Sequence, residues 1–310
     1  MSSTATVEST AAFSALNTGT AGDGQVRRRL HHIPRPATKD AERRWLLEQM
    51  AGAFRIFAKL GFADGASGHI SLRDPINPKT FWINPYGIHF GLLKVSDMVR
   101  VDEEGNRVGG ALKPVNTAGF IIHSAIHQKR PDINAACHMH SPYGRAWSNF
   151  GRGIDMLNQG IITVFSGPRV RSYLLTNPDS CMFHDDLSVY PAFGGVVFAK
   201  EEGQRIADTL GPKHKNLIMQ NHGLLTAGET VAEAAAFFIA LERACQAQLL
   251  VEAAIAPGSI GGAAGLGKSI VDEETAAYTK RGTGTPEAMY MQFDPEYQLI
   301  LEETGGRFLR

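Results

Sequence analysis

The chain has 310 residues, 31 basic and 31 acidic side chains, and an apolar content of 43%. That length buries a full core as one large domain or two small ones. The zero formal charge argues against a nucleic-acid binder, which carries a basic excess; no apolar run approaches the length of a membrane span. Cys137, Cys181 and Cys245 are too few and too far apart for a disulfide framework. A reducing, cytoplasmic setting and a small-molecule partner are expected, with no nucleic acid and no membrane.

Residues 1–35 read as a disordered tail, since the first 26 are mainly Ser, Thr, Ala and Gly. No apolar h-region marks a secretory signal. Arg27-Arg28-Arg29 after a Ser/Thr-rich start is compatible with a mitochondrial transit peptide, but Glu8 and Asp23 speak against one. Order is expected from Pro36. Asp40 to Lys59 has helical apolar spacing at Trp45, Leu46, Met50, Phe54 and Phe57, and Gly61 ends it. Ser67 to Leu72 and Phe81 to Asn84 read as two short strands around a Pro-rich turn, with a third strand at Met98 to Val101. Thr117 to Lys129 reads as an amphipathic helix closed by Arg130-Pro131-Asp132. An apolar strand then leads into Cys137-His138-Met139-His140, and Pro142 opens a further helix. Residues 151–196 give only short alternating strands and turns. Glu201 to Leu210 reads as a helix and Asn216 to Gln220 as a strand. Asn221-His222-Gly223 fits a tight turn from that strand into a helix. Thr230-Val231-Ala232-Glu233 is a capping-box pattern opening a long helix to about Ala256, apolar over much of its surface. Residues 257–310 are expected to form a flexible connector and a C-terminal helical segment, outside the domain at 36–256. Within the connector, Gly262 to Ser269 matches the phosphate-loop pattern letter for letter. It follows a helix and Ala256-Pro257-Gly258 rather than a strand, so it reads as linker.

The histidines carry the chemistry. His138 and His140 are two apart on a strand, so their side chains share a face and can grip one divalent ion. His222 follows a second apolar strand and completes a candidate three-histidine metal site. The bland alternative is a pair of core histidines bonded to backbone carbonyls. His123 and His127 share a helix face and read as packing or supporting groups, though a metal pair has the same spacing. His184-Asp185-Asp186 reads as a solvated loop; the alternative is a fourth metal ligand or an acid/base group.

Several of these segments resemble the class II aldolase/adducin family. They are Gly119 to His127, Arg130-Pro131-Asp132, His138-Met139-His140-Ser141-Pro142 and Leu217 to Leu225. The resemblance covers roughly residues 40–255. It implies an α/β fold: a three-layer α/β/α domain with a mostly antiparallel central sheet. It also implies a divalent metal, zinc first with iron or manganese as alternatives, and a homo-oligomer, commonly a tetramer with sites at subunit interfaces. Substrate-binding turns are implied at Gly68 and His69, at Tyr86 and Gly87, and at Thr117. The chain departs from the family's sugar-phosphate aldolases at one decisive position. They carry a carboxylate 19 residues before the first ligand histidine, and here that residue is Gly119. The small polar residues with which they cradle a phosphate are also largely replaced, which implies a non-phosphorylated substrate.

Three neutral imidazoles leave a cation its full charge as a Lewis acid. Retro-aldol cleavage also needs a base, for which His123, His184 and Asp186 are the candidates; decarboxylation needs only a proton after CO₂ leaves. The expected activity is therefore a metal-dependent carbon–carbon lyase, of decarboxylase or aldolase type, for a non-phosphorylated hydroxy-carbonyl or hydroxyaromatic acid. Two other readings stand beside it. One is a noncatalytic adducin-like scaffold, since the adducin head carries a very similar Ala-Gly-Phe…His-Ser-Ala-Ile run. The other is a non-heme iron oxygenase on the same three histidines.

Overall fold

The computed structural model describes residues 33–157, 180–195 and 200–310. Residues 36–310 form one compact unit. No boundary falls at 256, so the C-terminal segment belongs to the same body as the rest.

The first helix, α1 (Lys39–Lys59), starts where Thr38 accepts a hydrogen bond from the Ala41 N–H, and it ends at Leu60. Gly61 follows at φ 79°, a left-handed turn that glycine makes without steric cost. Eight strands then build one sheet: β1 (His69–Arg73), β2 (Phe81–Ile83), β3 (Val99–Val101), β4 (Arg107–Gly110), β5 (Ala135–Met139), β6 (Leu187–Tyr190), β7 (Asn216–Met219) and β8 (Gly223–Gly228). Their spatial order is β4-β3-β2-β1-β5-β8-β7-β6. Every neighbouring pair is antiparallel except β6 with β7.

Helices cover both faces. On one face, α2 (Thr117–Lys129) packs beside α4 (Lys200–Leu210). Ile122, Ile126, Ile206 and Leu210 there meet the inward residues of the strands, Ala136, Leu217, Met219, Leu225 and Ala227. On the other face, α5 (Val231–Ile255) contacts β5, β8, α1, the short α3 (Pro142–Ser148) and α8 (Pro286–Thr304). The remaining helices are α6 (Ile260–Ala263) and α7 (Glu273–Thr283). This is the layered α/β architecture expected, with a mostly antiparallel sheet.

Four local expectations change. Gly223 opens a strand, β8, rather than a helix, so Asn221-His222-Gly223 is the turn of a β7–β8 hairpin. Leu224 to Gly228 is a fully buried run, and such a run pairs on both sides of a sheet before any helix begins. In the capping pattern, Thr230 does accept from the Glu233 N–H. The Glu233 carboxylate, however, takes the Glu229 N–H and Lys215 rather than returning to residue 230. α5 is long and apolar enough to cross a membrane by length and composition, contrary to the sequence reading, but 61% of its most apolar window is buried within the unit. Finally, the linker motif is ordered. α6 runs into its first two residues, and Lys268 pairs with Asp155 and Glu252 instead of facing a phosphate.

Candidate metal centre

The β5–β8 pairing brings the three histidines together. β5 carries His138, and the chain leaves the sheet at His140. The β7–β8 turn presents His222 at the same edge, with Asn221 at φ 56° and Gly223 at φ 153°. A side chain on Gly223 would meet the Met139 carbonyl at 3.0 Å, so the close approach of this turn to β5 requires glycine there. The ring centroids form a near-equilateral triangle: 5.1 Å for His138–His140, 4.8 Å for His138–His222 and 5.0 Å for His140–His222. One nitrogen from each ring lies within 4.8 Å of the others.

His138 Nδ1 lies 2.8 Å from the Leu224 carbonyl. A carbonyl only accepts, so Nδ1 carries the proton and Nε2 is left as the ligand atom. A second hydrogen bond of this kind commonly fixes a metal-binding imidazole. All three rings are held neutral. Burial depresses His138 most, with the neighbouring His222, His69 and His140 adding to it. Burial and then Arg145 depress His140. Burial and His140 bring His222 to about 4. Neutral, convergent and partly open imidazoles suit a divalent ion of the zinc, iron or manganese class; His138, His140 and His222 would hold it.

The triangle opens into a pocket of about 270 Å³ lined by Gly68, His69, Asn116, Gly119, Ile122 and Phe193 besides the three histidines. Of the implied substrate turns, the structure brings only Gly68 and His69 to this wall. Tyr86 and Gly87 are exposed on the β2–β3 connection, with the Tyr86 N–H on the Pro114 carbonyl, and the Thr117 side chain is exposed at the start of α2. None of the three lines the pocket. Asn116, one residue earlier, does. Its Oδ1 caps α2 by accepting from the Gly119 N–H at 3.1 Å, which leaves its amide N–H groups for a ligand. Spacing alone could not separate Asn116 from Thr117; the cap decides which faces inward.

His184 and Asp186 are not brought to the pocket. Asp186 stands just before β6 and accepts from Lys280 Nζ and the Lys215 N–H. β6 runs parallel to β7, so Asp186 is at the end where β7 starts, while His222 follows the end where β7 finishes. His184 follows a short 3₁₀ turn at the same far end. Their placement reflects sheet direction, which residue spacing does not reveal.

His123, also a candidate for the base, lies behind the pocket and does not line it. Ser71 Oγ is 2.6 Å from His123 Nδ1 and 2.7 Å from His127 Nε2. His127 Nδ1 in turn meets the Ile133 carbonyl at 3.2 Å, and its ring stacks on Phe81 at 4.7 Å. His127 is thus a core histidine held by Ser71 and the Ile133 carbonyl, whereas His138 and His140 converge with His222 in a cluster that could hold a metal ion.

With this geometry, comparison with known proteins becomes informative. A family model described as the class II aldolase and adducin N-terminal domain matches residues 48–249. The chain belongs to the class II aldolase/adducin family. One relative, "Decarboxylase NovR" of Streptomyces niveus, is 39% identical over 219 residues, covering 70% of this chain and 74% of that protein. Another, "4-hydroxy-3-prenylphenylpyruvate oxygenase/4-hydroxy-3-prenylbenzoate synthase" of Streptomyces roseochromogenus subsp. oscitans, is 38% identical over 224 residues, covering 72% and 74%. Among solved structures, "L-fuculose 1-phosphate aldolase from Glaciozyma antarctica PI12" superposes with a TM-score of 0.74 at 38% identity, over 90% of this chain and 97% of that one. The family thus includes metal-dependent aldolases and decarboxylases as well as the adducins.

Proposed function

We propose that this chain is a metal-dependent carbon–carbon lyase acting on a small, non-phosphorylated hydroxy-carbonyl or hydroxyaromatic acid, with decarboxylation favoured over sugar aldolysis. The observation that carries the reading is the convergence of three neutral imidazoles on one pocket. A divalent cation held there supplies Lewis acidity for the negative charge that builds on a carbonyl oxygen when the adjacent C–C bond breaks. His138, held by the Leu224 carbonyl, fixes the orientation of the ligand set. Ile122, Ala118 and Phe193 narrow the pocket and limit water. Asn116 offers an amide donor to a carboxylate or carbonyl. Among its described lining residues the pocket has neither Asp nor Glu, and neither Lys nor Arg. The imidazoles of the described wall can carry protons, which suits a reaction that needs no strong base. The decarboxylase relative supports the reaction type; the oxygenase relative keeps iron-dependent oxygenation as a second reading. Zinc is the first metal to test, then iron and manganese. A homotetramer in the cytoplasm completes the proposal.

Elemental analysis of the native protein is expected to find about one metal per chain, and His138→Ala should lose it by removing one of three ligands. A screen of hydroxy-keto and hydroxyaromatic acids should then release CO₂ or aldehyde. Full metal occupancy in His138→Ala would overturn the ligand assignment. Cleavage of L-fuculose 1-phosphate in preference to every unphosphorylated acid would overturn the substrate class, and iron with stoichiometric oxygen uptake would decide for the oxygenase. Light scattering tests the tetramer.

A further inference from the structure

One side of the pocket is formed by Phe193 and Gly195, in the stretch that leaves the sheet directly after β6 ends at Tyr190. The Phe193 ring stands edge-on to His222, with centroids 6.0 Å apart. It is 54% exposed, so packing constrains it on one side only. A side chain this open keeps a fixed place only where its backbone is held, because ordering it costs conformational entropy.

Glu202 lies against that backbone. It belongs to the first turn of α4 and is buried, and the reaction as proposed does not use it. A buried carboxylate is costly unless it is paired. The Tyr190 hydroxyl donates to Glu202 Oε1 at 2.7 Å, and Arg205, one turn further along α4, donates to Oε2. Tyr190 is itself fixed. Its carbonyl accepts from the Gln220 N–H at 2.9 Å, which ties the end of β6 to the end of β7, two residues before His222. The Tyr190–Glu202 bond therefore joins the point where the wall segment leaves the sheet to the helix that follows it. Between the two, Gly194 meets the carboxylate: a Cβ there would lie 3.5 Å from Glu202 Oε2, ordinary van der Waals contact. Gly194 links Phe193 to Gly195, so the carboxylate backs both lining residues without lining the pocket itself.

We propose that Glu202 and Tyr190 are positioning residues: their hydrogen bond, with Arg205 as counter-charge, holds Phe193 and Gly195 as a fixed wall beside His222. A charge-assisted bond of this kind is among the stronger ones a protein makes. A fixed wall keeps the width of the pocket constant at the three histidines, and orientation of a bound molecule depends on that. As a role in the reaction the inference rests on the pocket being a substrate site. The contact it explains, Phe193 on His222, is present without any ligand.

The test follows the His222 ring by NMR in the full chain carrying ¹³C-labelled histidine, both metal-free and zinc-loaded, with the signal assigned through His222→Phe. Phe193→Leu removes the aromatic ring beside His222 and marks where the signal falls without it. Tyr190→Phe and Glu202→Ala should move the His222 signal toward that mark. Glu202→Gln, which still accepts from Tyr190, should leave it near the position in the unaltered chain. A general loss of stability lowers the melting temperature without moving one ring signal in the folded chain, so the shift separates positioning from a merely structural role. Unmoved His222 signals in both Tyr190→Phe and Glu202→Ala overturn the proposal. Zinc content should match the unaltered chain in both variants; zinc loss would mean that the pair holds the ligand set rather than the wall, and overturns it as well. Glycolate should bind zinc-loaded Glu202→Ala several-fold more weakly than the unaltered chain, and equal binding overturns the role in the reaction. If the ring shifts appear but glycolate binds neither protein, the substrate-site reading fails while the positioning of the wall stands.

Discussion

Single residues at this site are constrained by what lies behind them. His127 is fully enclosed, and burial first, then Arg73, lowers its pKa from 6.5 to about 3. Between those values the unfolded chain binds a proton that the folded chain refuses, so stability must fall as pH drops through that range. The contribution is fully present above pH ~6.5 and lost by about pH 3. It is on the order of 5 kcal/mol from the pKa difference alone. Denaturant midpoints measured from pH 7 to pH 3 should fall steeply, and His127→Phe should flatten the slope. An unchanged slope in that variant would refute the assignment. Gly119 offers a steric counterpart. Gly119→Ala places a methyl group against His69, and overpacking of this kind costs ~1–3 kcal/mol. The melting temperature should drop, and His69→Ala in the same chain should recover most of the loss. The sequence showed Gly119 only as a missing carboxylate; that the missing volume is occupied by a residue 50 positions earlier follows from packing α2 against β1.

At the scale of elements, α3 is clasped by α5. The Glu242 carboxylate accepts from Ser141 Oγ and from the N–H groups of Tyr143 and Gly144, the last two at 2.7 and 2.6 Å. A carboxylate at a helix N-terminus satisfies donors that have no partner inside the helix. Ser141 directly follows His140, so the clasp also anchors a candidate metal ligand. Glu242→Ala leaves three donors unsatisfied in a buried place and should cost ~3 kcal/mol. Zinc affinity should fall ~10–100-fold, the usual effect of removing an outer support, and Glu242→Gln should recover part of both. Calorimetry of zinc binding checks the pair; unchanged affinity in Glu242→Ala would show that His140 holds its place without the clasp. Helix boundaries such as Thr117 to Lys129 were legible because apolar spacing and a capping residue are local. The clasp was not, because its two halves are about 100 residues apart.

For the whole molecule, the C-terminal helix closes the core. Tyr297 packs over Gly52 on α1, where a Cβ would lie 2.4 Å from its ring. Phe293 and Phe308 flank it at 5.9 and 5.7 Å between ring centroids. Gly52→Val should wedge α8 from α1 and lower stability by ~2 kcal/mol or more, with metal content unchanged in the folded fraction because the site lies across the sheet from this contact. Thermal melts with parallel zinc analysis would show it, and a melt equal to that of the unaltered chain would mean that α8 is not held against α1 here. The segment 257–310 looked separable because Gly and Ala dominate 258–267. It is not separable, because the aromatics beyond that stretch are buried against α1 and α5.

The amino-acid order by itself determined the long helices, the α/β class and the three candidate ligands, since periodicity, caps and the His-x-His spacing are properties of neighbouring residues. Only the tertiary structure decided which polar residues line the pocket. His69 and Asn116 do, Thr117 does not, Tyr86 is at the surface and Asp186 is at the far end of the sheet. The reason is physical: strand direction and register, set by burial across the whole sheet, determine where a side chain ends up, and no local pattern encodes them.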